Sequence, residues 1–480
     1  MKRDLFKKAK EAVGNNPKLK IEAMDKQRSL QIAGRSEIEV VEDEDAKKVA
    51  AEYERLLFET GYIDFETIII ASTKLIQEHE YVRLCLRAKF PWLVIDEYQD
   101  LGKPLHEMVL SLFTQTDIKL FVVGDPDQSI YKFTGAIPNY LIELYNRKDI
   151  IPIELKNNYR SNQDIVDGSE TVLSIPRHYH AATRQDEVAE YRFISCDRGM
   201  EDQYKFFVKQ IVPACIENDI PLEEIAVLLA KKSECTDLAD VCVENSIPYY
   251  ISKHSFDNTD FVKWLEDCAL WANDKTAVFF NDLYNYWKSI LLMKKEDSFM
   301  SEREDLKRRR QFLDILENSI DLKDSLKDWL KYMLHALDVE NLLKDLEQLP
   351  DELDNLKNLY TEVSDEKYKD YDTSKFSKIG KPENQITIST RHSSKGLEFE
   401  VVVLMGMEEE NFPHWATLKY GDEEDINECN RLCFVCVSRA KRVCILMKSR
   451  EYVLDGRYGP YVKTYEASRY WNQLYQKYGK

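Results

Sequence analysis

Leu93-Val94-Ile95-Asp96-Glu97-Tyr98-Gln99-Asp100 sets three apolar residues directly before two adjacent carboxylates. Short apolar runs recur along the chain, at Leu120–Val123, Ile225–Leu229, Val401–Met405 and Val443–Leu446. Such runs, separated by stretches with helical spacing, indicate a parallel sheet buried on both faces, because crossover helices cover each side. The expected fold class is therefore α/β. In open α/β sheets ligands bind at the carboxyl ends of the strands, so the polar residues that follow each run are the candidate site residues.

After Ile95, Asp96 and Glu97 suit one magnesium-binding group and one group that orients or deprotonates water. A solvated Asp-Glu pair in a turn has the same sequence. After Val123 come Gly124-Asp125-Pro126-Asp127-Gln128-Ser129-Ile130-Tyr131-Lys132-Phe133-Thr134-Gly135-Ala136. A glycine there lets the backbone turn sharply, and Gln128 is placed to sense a phosphate or a metal-bound water. Tyr131 and Phe133 are either platforms for stacked bases or core aromatics. Ile151–Leu155 reads as another strand and leads into Lys156-Asn157-Asn158-Tyr159-Arg160-Ser161, where an arginine can reach developing charge on a transferred phosphoryl group. Towards the C-terminus, Thr390-Arg391-His392-Ser393-Ser394-Lys395-Gly396-Leu397-Glu398-Phe399 precedes a strand, and Arg431 and Arg439 read as residues of a helix before the next one.

The chain has 480 residues, 44% of them hydrophobic and 32% charged, which is globular composition and too long for one ordinary core. No apolar run reaches bilayer-spanning length, and the basic start lacks the apolar core of a signal peptide. A cytoplasmic location is expected, with no membrane partner. The ten cysteines suit a reducing compartment. Cys429, Cys433 and Cys436 have the spacing of an iron–sulfur ligand set, but read as the core face of a helix. A net charge of −19 argues against tight non-specific binding to nucleic acid, while leaving room for a locally basic groove.

Four segments are expected: a partial first sheet domain with a helical N-terminal part over 1–150, the first half of a second sheet domain over 151–265, an all-helical insertion over 266–380, and the second half of the second domain over 381–480. Within the insertion, Lys307-Arg308-Arg309-Arg310 reads as a solvated helix face that is also able to touch a phosphate backbone.

The ordered blocks IDEYQD, VVGDPDQSIYKFTGA, LKNNYRS, TRHSSKGLEF and NRLCFVCVSRAK resemble motifs II to VI of the UvrD/Rep/PcrA branch of superfamily 1 DNA helicases. The resemblance implies two RecA-like parallel-sheet motor domains, the first incomplete, facing each other across a cleft. It also implies ATP and Mg2+ as cofactors and single-stranded or partly duplex DNA as the track, followed 3′ to 5′. By the same resemblance Asp96 holds magnesium, Glu97 activates water, Gln128 contacts the γ-phosphate region, and Arg160 and Arg439 stabilise transition-state charge. Asp125, Tyr159, Gly396 and Glu398 belong to the nucleotide site, with Tyr159 stacking on adenine and Glu398 accepting from the ribose. Tyr131, Phe133, Thr390 and His392 face the DNA strand.

The sequence departs from the family in having no GxxxxGK(S/T) phosphate-binding loop, which family members carry upstream of motif II. Thr134 and Asn430 stand where the family usually has arginines. Three expectations follow. The chain is a helicase motor whose P-loop strand is lost by truncation or supplied by another polypeptide; or a non-hydrolysing DNA-binding or regulatory subunit; or a helicase subunit paired with a nuclease, as in Gabija-type anti-phage systems. Retention of Glu97, Arg160 and Arg439 favours the first.

Overall fold

The computed structural model describes residues 2–14, 19–29, 32, 43–132, 135–173, 175–251, 256, 258–294, 301–344, 346, 348–349, 351–364, 371–377, 384–456 and 459–479. The chain divides into two compact units. The first comprises residues 1–159, 166–183 and 413–435, and the second residues 160–165, 184–412 and 436–480.

In the first unit, helices Lys2–Val13, Ile21–Ser29 and Glu44–Glu59 pack around Leu5, Ala9, Met24, Val49, Tyr53 and Leu57. Asp64 caps the following helix, Phe65–Glu78, by accepting from the Thr67 N–H. The same carboxylate receives both terminal nitrogens of Arg28, each at 2.9 Å. Arg28 is fully buried. Asp25 and Glu54 bind it too, and it lies 5.0 Å from the Tyr53 ring centroid. A buried guanidinium is tolerable only with its donors matched in this way.

The sheet of this unit consists of β1 (Trp92–Ile95) and β2 (Lys119–Val122), parallel and in register from Trp92–Lys119 to Ile95–Val122. Alternation sends Leu93, Ile95, Leu120 and Val122 inward against Tyr98, Leu110, Tyr140 and Leu144. The other face is open: Trp92 is 54%, Val94 66% and Phe121 52% exposed. The expectation of a sheet buried on both faces therefore fails for these two strands. Among the described residues β2 has β1 as its sole strand partner.

The strand expected at Ile151–Leu155 is also absent. The segment carries no ladder, and Ile151, Ile153 and Leu155 are 88%, 78% and 80% exposed. Apolar alternation sets which way side chains point, but a strand exists only when a neighbour takes up its N–H and C=O groups. A short parallel pair, β3 (Asn157–Asn158) with β4 (His180–Ala181), follows.

The second unit is built on seven strands: β5 (Glu190–Arg198), β6 (Ile225–Leu229), β7 (Tyr249–Ile251), β8 (Ile386–Thr390), β9 (Phe399–Leu404), β10 (Ala440–Gly456) and β11 (Gly459–Thr464). Their order is β11-β10-β9-β6-β8-β7, with β5 also on β10, and every pairing but β10–β11 is parallel. Here both faces are covered: all five residues of β6 are buried, and Phe207, Val212, Leu238 and Cys242 belong to the core packed on it.

Between β7 and β8 the described residues are helical, from Asp260–Asn273 to Thr373–Phe376. Their core centres on Trp264, Trp287, Phe312, Trp329 and Phe376, with Trp264 stacked on Trp287 at 5.5 Å. Of the basic run on helix Glu302–Ser319, Arg309 packs over the Phe280 ring, 5.6 Å from its centroid. No described helix is long and apolar enough to cross a membrane.

Candidate functional site

In the first unit the candidate residues gather where β1 and β2 end. Asp96 and Glu97 follow β1 directly and are exposed. Glu97 takes the left-handed backbone conformation (φ 53°), which is unfavourable for a side chain with a Cβ. The turn is closed by Glu97 N–H donating to Asp96 Oδ1 at 2.8 Å and Asp100 N–H donating to the Glu97 carbonyl at 2.9 Å. Beneath it, buried Tyr98 shares a 2.8 Å hydrogen bond with His106 Nδ1. Burial, aided by Arg147, pushes that imidazole down to about 4, so it is neutral at ordinary pH.

The loop after β2 lies against this turn. Gln128 Nε2 donates to Asp125 Oδ2 at 2.8 Å. Burial, with Asp127 nearby, raises the Asp125 carboxyl above its ordinary value. Asp127 is in turn clamped by Arg177 at 2.6 and 2.5 Å. Gly124 is not among the glycines with positive φ. A Cβ there would meet Gln99 Oε1 at 2.7 Å and the Tyr98 nitrogen at 3.2 Å, so the residue is glycine for close approach.

Among the described residues no cluster of three or more His, Cys, Asp or Glu could hold a metal. Mg2+ is commonly bound by one or two carboxylates together with substrate phosphates and water. The exposed Asp96 fits that mode, and a protein-only cage does not fit.

The second unit brings the arginines together. Arg160 Nε donates to Glu398 Oε2 at 2.7 Å, and Arg160 also reaches the Ser438 carbonyl at 3.5 Å. Lys441 lies 3.7 Å from the other Glu398 oxygen. The Arg160 hydrogen bond holds the Glu398 carboxyl below its ordinary value. Arg439 is 2% exposed and donates to the Leu397 carbonyl and to Ser438 Oγ, both at 3.1 Å. It does not lie on the helix expected for it: helix Glu423–Val437 ends before it and β10 starts at Ala440. Gly396, beside this cluster, has φ +83° with nothing within 4 Å of where a Cβ would stand, so backbone conformation alone demands glycine.

Thr390 ends β8 and shares a 2.8 Å hydrogen bond with Ser393, and His392 opens the short turn that follows. Both are half-buried, as is Tyr131. Tyr159 is 69% exposed. Phe133 and Thr134 lie outside the described residues.

One group escaped the sequence reading. Helix residues 423–435 belong to the first unit, where they hold the loop after β2. Lys132 Nζ pairs with Asp425 at 2.6 Å and Asp422 at 3.2 Å, the Lys132 N–H donates to Glu428 at 2.8 Å, and Arg431 Nε donates to the Ser129 carbonyl at 2.6 Å. The i, i+3 spacing of Asp422, Asp425 and Glu428 was the available signal. Cys433 and Cys436 on this helix are fully buried.

Two family models match the chain. The UvrD/REP helicase N-terminal domain matches residues 2–149, and the UvrD-like helicase C-terminal domain matches residues 153–281 and 282–451. The chain belongs to the UvrD/REP helicase family. Among curated relatives of this UvrD-like chain is the ATP-dependent DNA helicase PcrA of Staphylococcus aureus (strain Mu50 / ATCC 700699), 25% identical over 465 residues, covering 84% of this chain and 61% of the relative. PcrA of Staphylococcus epidermidis (strain ATCC 12228 / FDA PCI 1200) is 26% identical over 459 residues with the same coverage. The UvrD-like chain thus spans about three-fifths of the length of the curated relatives it matches.

Proposed function

We propose that this chain is the greater part of an ATP-driven DNA translocase, a 3′-to-5′ helicase, working with a P-loop strand supplied by residues outside these 480. ATP and Mg2+ supply the phosphoanhydride and its charge neutralisation. Asp96 holds the metal, and Glu97 orients water and accepts its proton. Gln128 senses the terminal phosphate, while Asp125 fixes its amide through the 2.8 Å hydrogen bond. Arg160 and Arg439 stabilise negative charge in the transition state. Tyr159 stacks on the base, and Glu398 accepts from the ribose. Tyr131, Phe133, Thr390 and His392 line the path of the single strand.

The observation that carries the reading is the first unit's sheet. Parallel sheets of this class are covered on both faces and paired through their centre. Here β2 has no second strand partner among the described residues, and Trp92, Val94 and Phe121 are more than half exposed. The exposed apolar segment Ile151–Leu155 is a second strand-like stretch without a partner strand among the described residues. One additional strand–loop–helix bearing GxxxxGK(S/T) would meet the needs of the sheet and of the phosphates together.

The test is steady-state ATP hydrolysis with and without single-stranded DNA, by the chain alone and with such a strand–loop–helix added in trans. DNA-stimulated turnover that appears on addition, and disappears when the loop lysine is replaced, is the expected result. Tight DNA binding with no turnover in either preparation would instead identify a non-hydrolysing subunit.

A further inference from the structure

Gln99 is fully buried, two residues after Glu97, and takes no part in the chemistry proposed above. Its amide is used at both ends: Nε2 donates to Glu97 Oε2, and Oε1 accepts from the Asp125 N–H at 2.9 Å. A backbone N–H can only donate, so the carbonyl end must face Asp125, and the NH2 end is left to face the carboxylate. Amide orientation follows from the partners and needs no separate assignment.

Three further features hold the bridge. Ser129 Oγ donates to the Gln99 backbone carbonyl at 3.1 Å, the Tyr98 N–H donates to the Val123 carbonyl at 3.1 Å, and Gly124 leaves room for Oε1 where a Cβ would stand 2.7 Å away. The result is a hydrogen-bonded line, Glu97–Gln99–Asp125–Gln128, in which Gln99 holds the backbone N–H of Asp125 and Gln128 holds its carboxylate. A buried amide must place its donors on some partner, and here the partner is the exposed carboxylate of Glu97.

We propose that Gln99 is a positioning residue that fixes the Glu97 carboxylate relative to the Gln128 loop, so that the group activating water and the group sensing phosphate hold one mutual geometry. The inference rests on the proposed role of Glu97.

Two variants of the full chain separate the ends of the amide. Gln99→Glu keeps an acceptor for the Asp125 N–H and loses the donor to Glu97, whereas Gln99→Leu loses both. Amide hydrogen exchange at Asp125 is expected to stay at the wild-type rate in Gln99→Glu and to rise about tenfold in Gln99→Leu, the change that loss of one hydrogen bond gives. Turnover, measured in whichever preparation hydrolyses ATP, is expected to fall at least about tenfold in both variants, with KM for ATP within about twofold of wild type.

A residue of structural importance alone would give a Gln99→Glu enzyme with wild-type kcat, and that result overturns the proposal. So does unchanged Asp125 exchange in Gln99→Leu. If wild type turns over ATP and the variants match it, the positioning role fails while the proposed function stands. If no preparation hydrolyses ATP, both fall together.

Discussion

Arg160 Nε lies 2.7 Å from Glu398 Oε2, so a residue proposed to stabilise phosphoryl charge is held by the residue proposed to receive the ribose. The pair is partly open to solvent, with side chains 29% and 47% exposed, and such pairs contribute about 0–1 kcal/mol. A nucleotide can therefore displace it at little cost. Glu398→Gln is expected to shift unfolding free energy by less than about 1 kcal/mol and to raise KM for ATP, whereas Arg160→Ala lowers kcat by about 10³-fold or more. Urea titration and steady-state kinetics check the two halves.

Arg439 should behave differently from Arg160 although both are proposed for the same task. It is buried, and its removal leaves the Leu397 carbonyl without that donor. Arg439→Ala is expected to cost about 1–3 kcal/mol of stability in addition to its effect on turnover. Urea unfolding curves that place Arg439→Ala and Arg160→Ala at the same midpoint would contradict the distinction.

Gly124→Ala is expected to destabilise the first unit by about 1–3 kcal/mol, because the new methyl meets Gln99 Oε1 at 2.7 Å and the backbone nitrogen of Tyr98 at 3.2 Å. The backbone cannot yield as a flexible side chain would. A melting temperature equal to wild type would show that the two loops are not packed this closely.

The Arg28–Asp64 pair sets an acid dependence. Burial alone would raise the Asp64 carboxyl, but hydrogen bonds from Arg28 and Thr67 outweigh it and hold the group well below the usual carboxylate range. A carboxyl lower in the folded chain than in the unfolded one contributes stability that is complete above its unfolded value, about 3.9, and is lost as pH falls towards the folded value. Stability of the first unit should therefore hold from neutrality to about pH 5 and decline below about pH 4. Arg28→Met should cost about 3–5 kcal/mol and flatten that decline. Urea titrations at a series of pH values measure both.

The helicase motifs were legible because chemistry concentrates at strand ends, and Asp96, Glu97 and Gln128 stand where β1 and β2 finish. Family membership was legible for the same reason. Pairing was not: the alternation in Ile151–Leu155 reads as a strand, yet the partner that would make it one is not among the described residues. Gln99 was invisible as a bridge because a glutamine in a turn is ordinarily solvated, and only burial reveals that both ends of its amide are taken. Arg28 and Asp64 lie 36 residues apart, and no local pattern joins them.

The most direct measurement is the rate of ATP hydrolysis on single-stranded DNA by the chain complemented with a GxxxxGK(S/T) strand–loop–helix, comparing Glu97 with Glu97→Gln. The expected result is turnover with Glu97 that drops by orders of magnitude in Glu97→Gln, while the complementing segment binds both alike. Equal rates for the two proteins, or full turnover by the uncomplemented chain, would contradict a motor whose carboxylate acts on a nucleotide held by a strand from outside these residues.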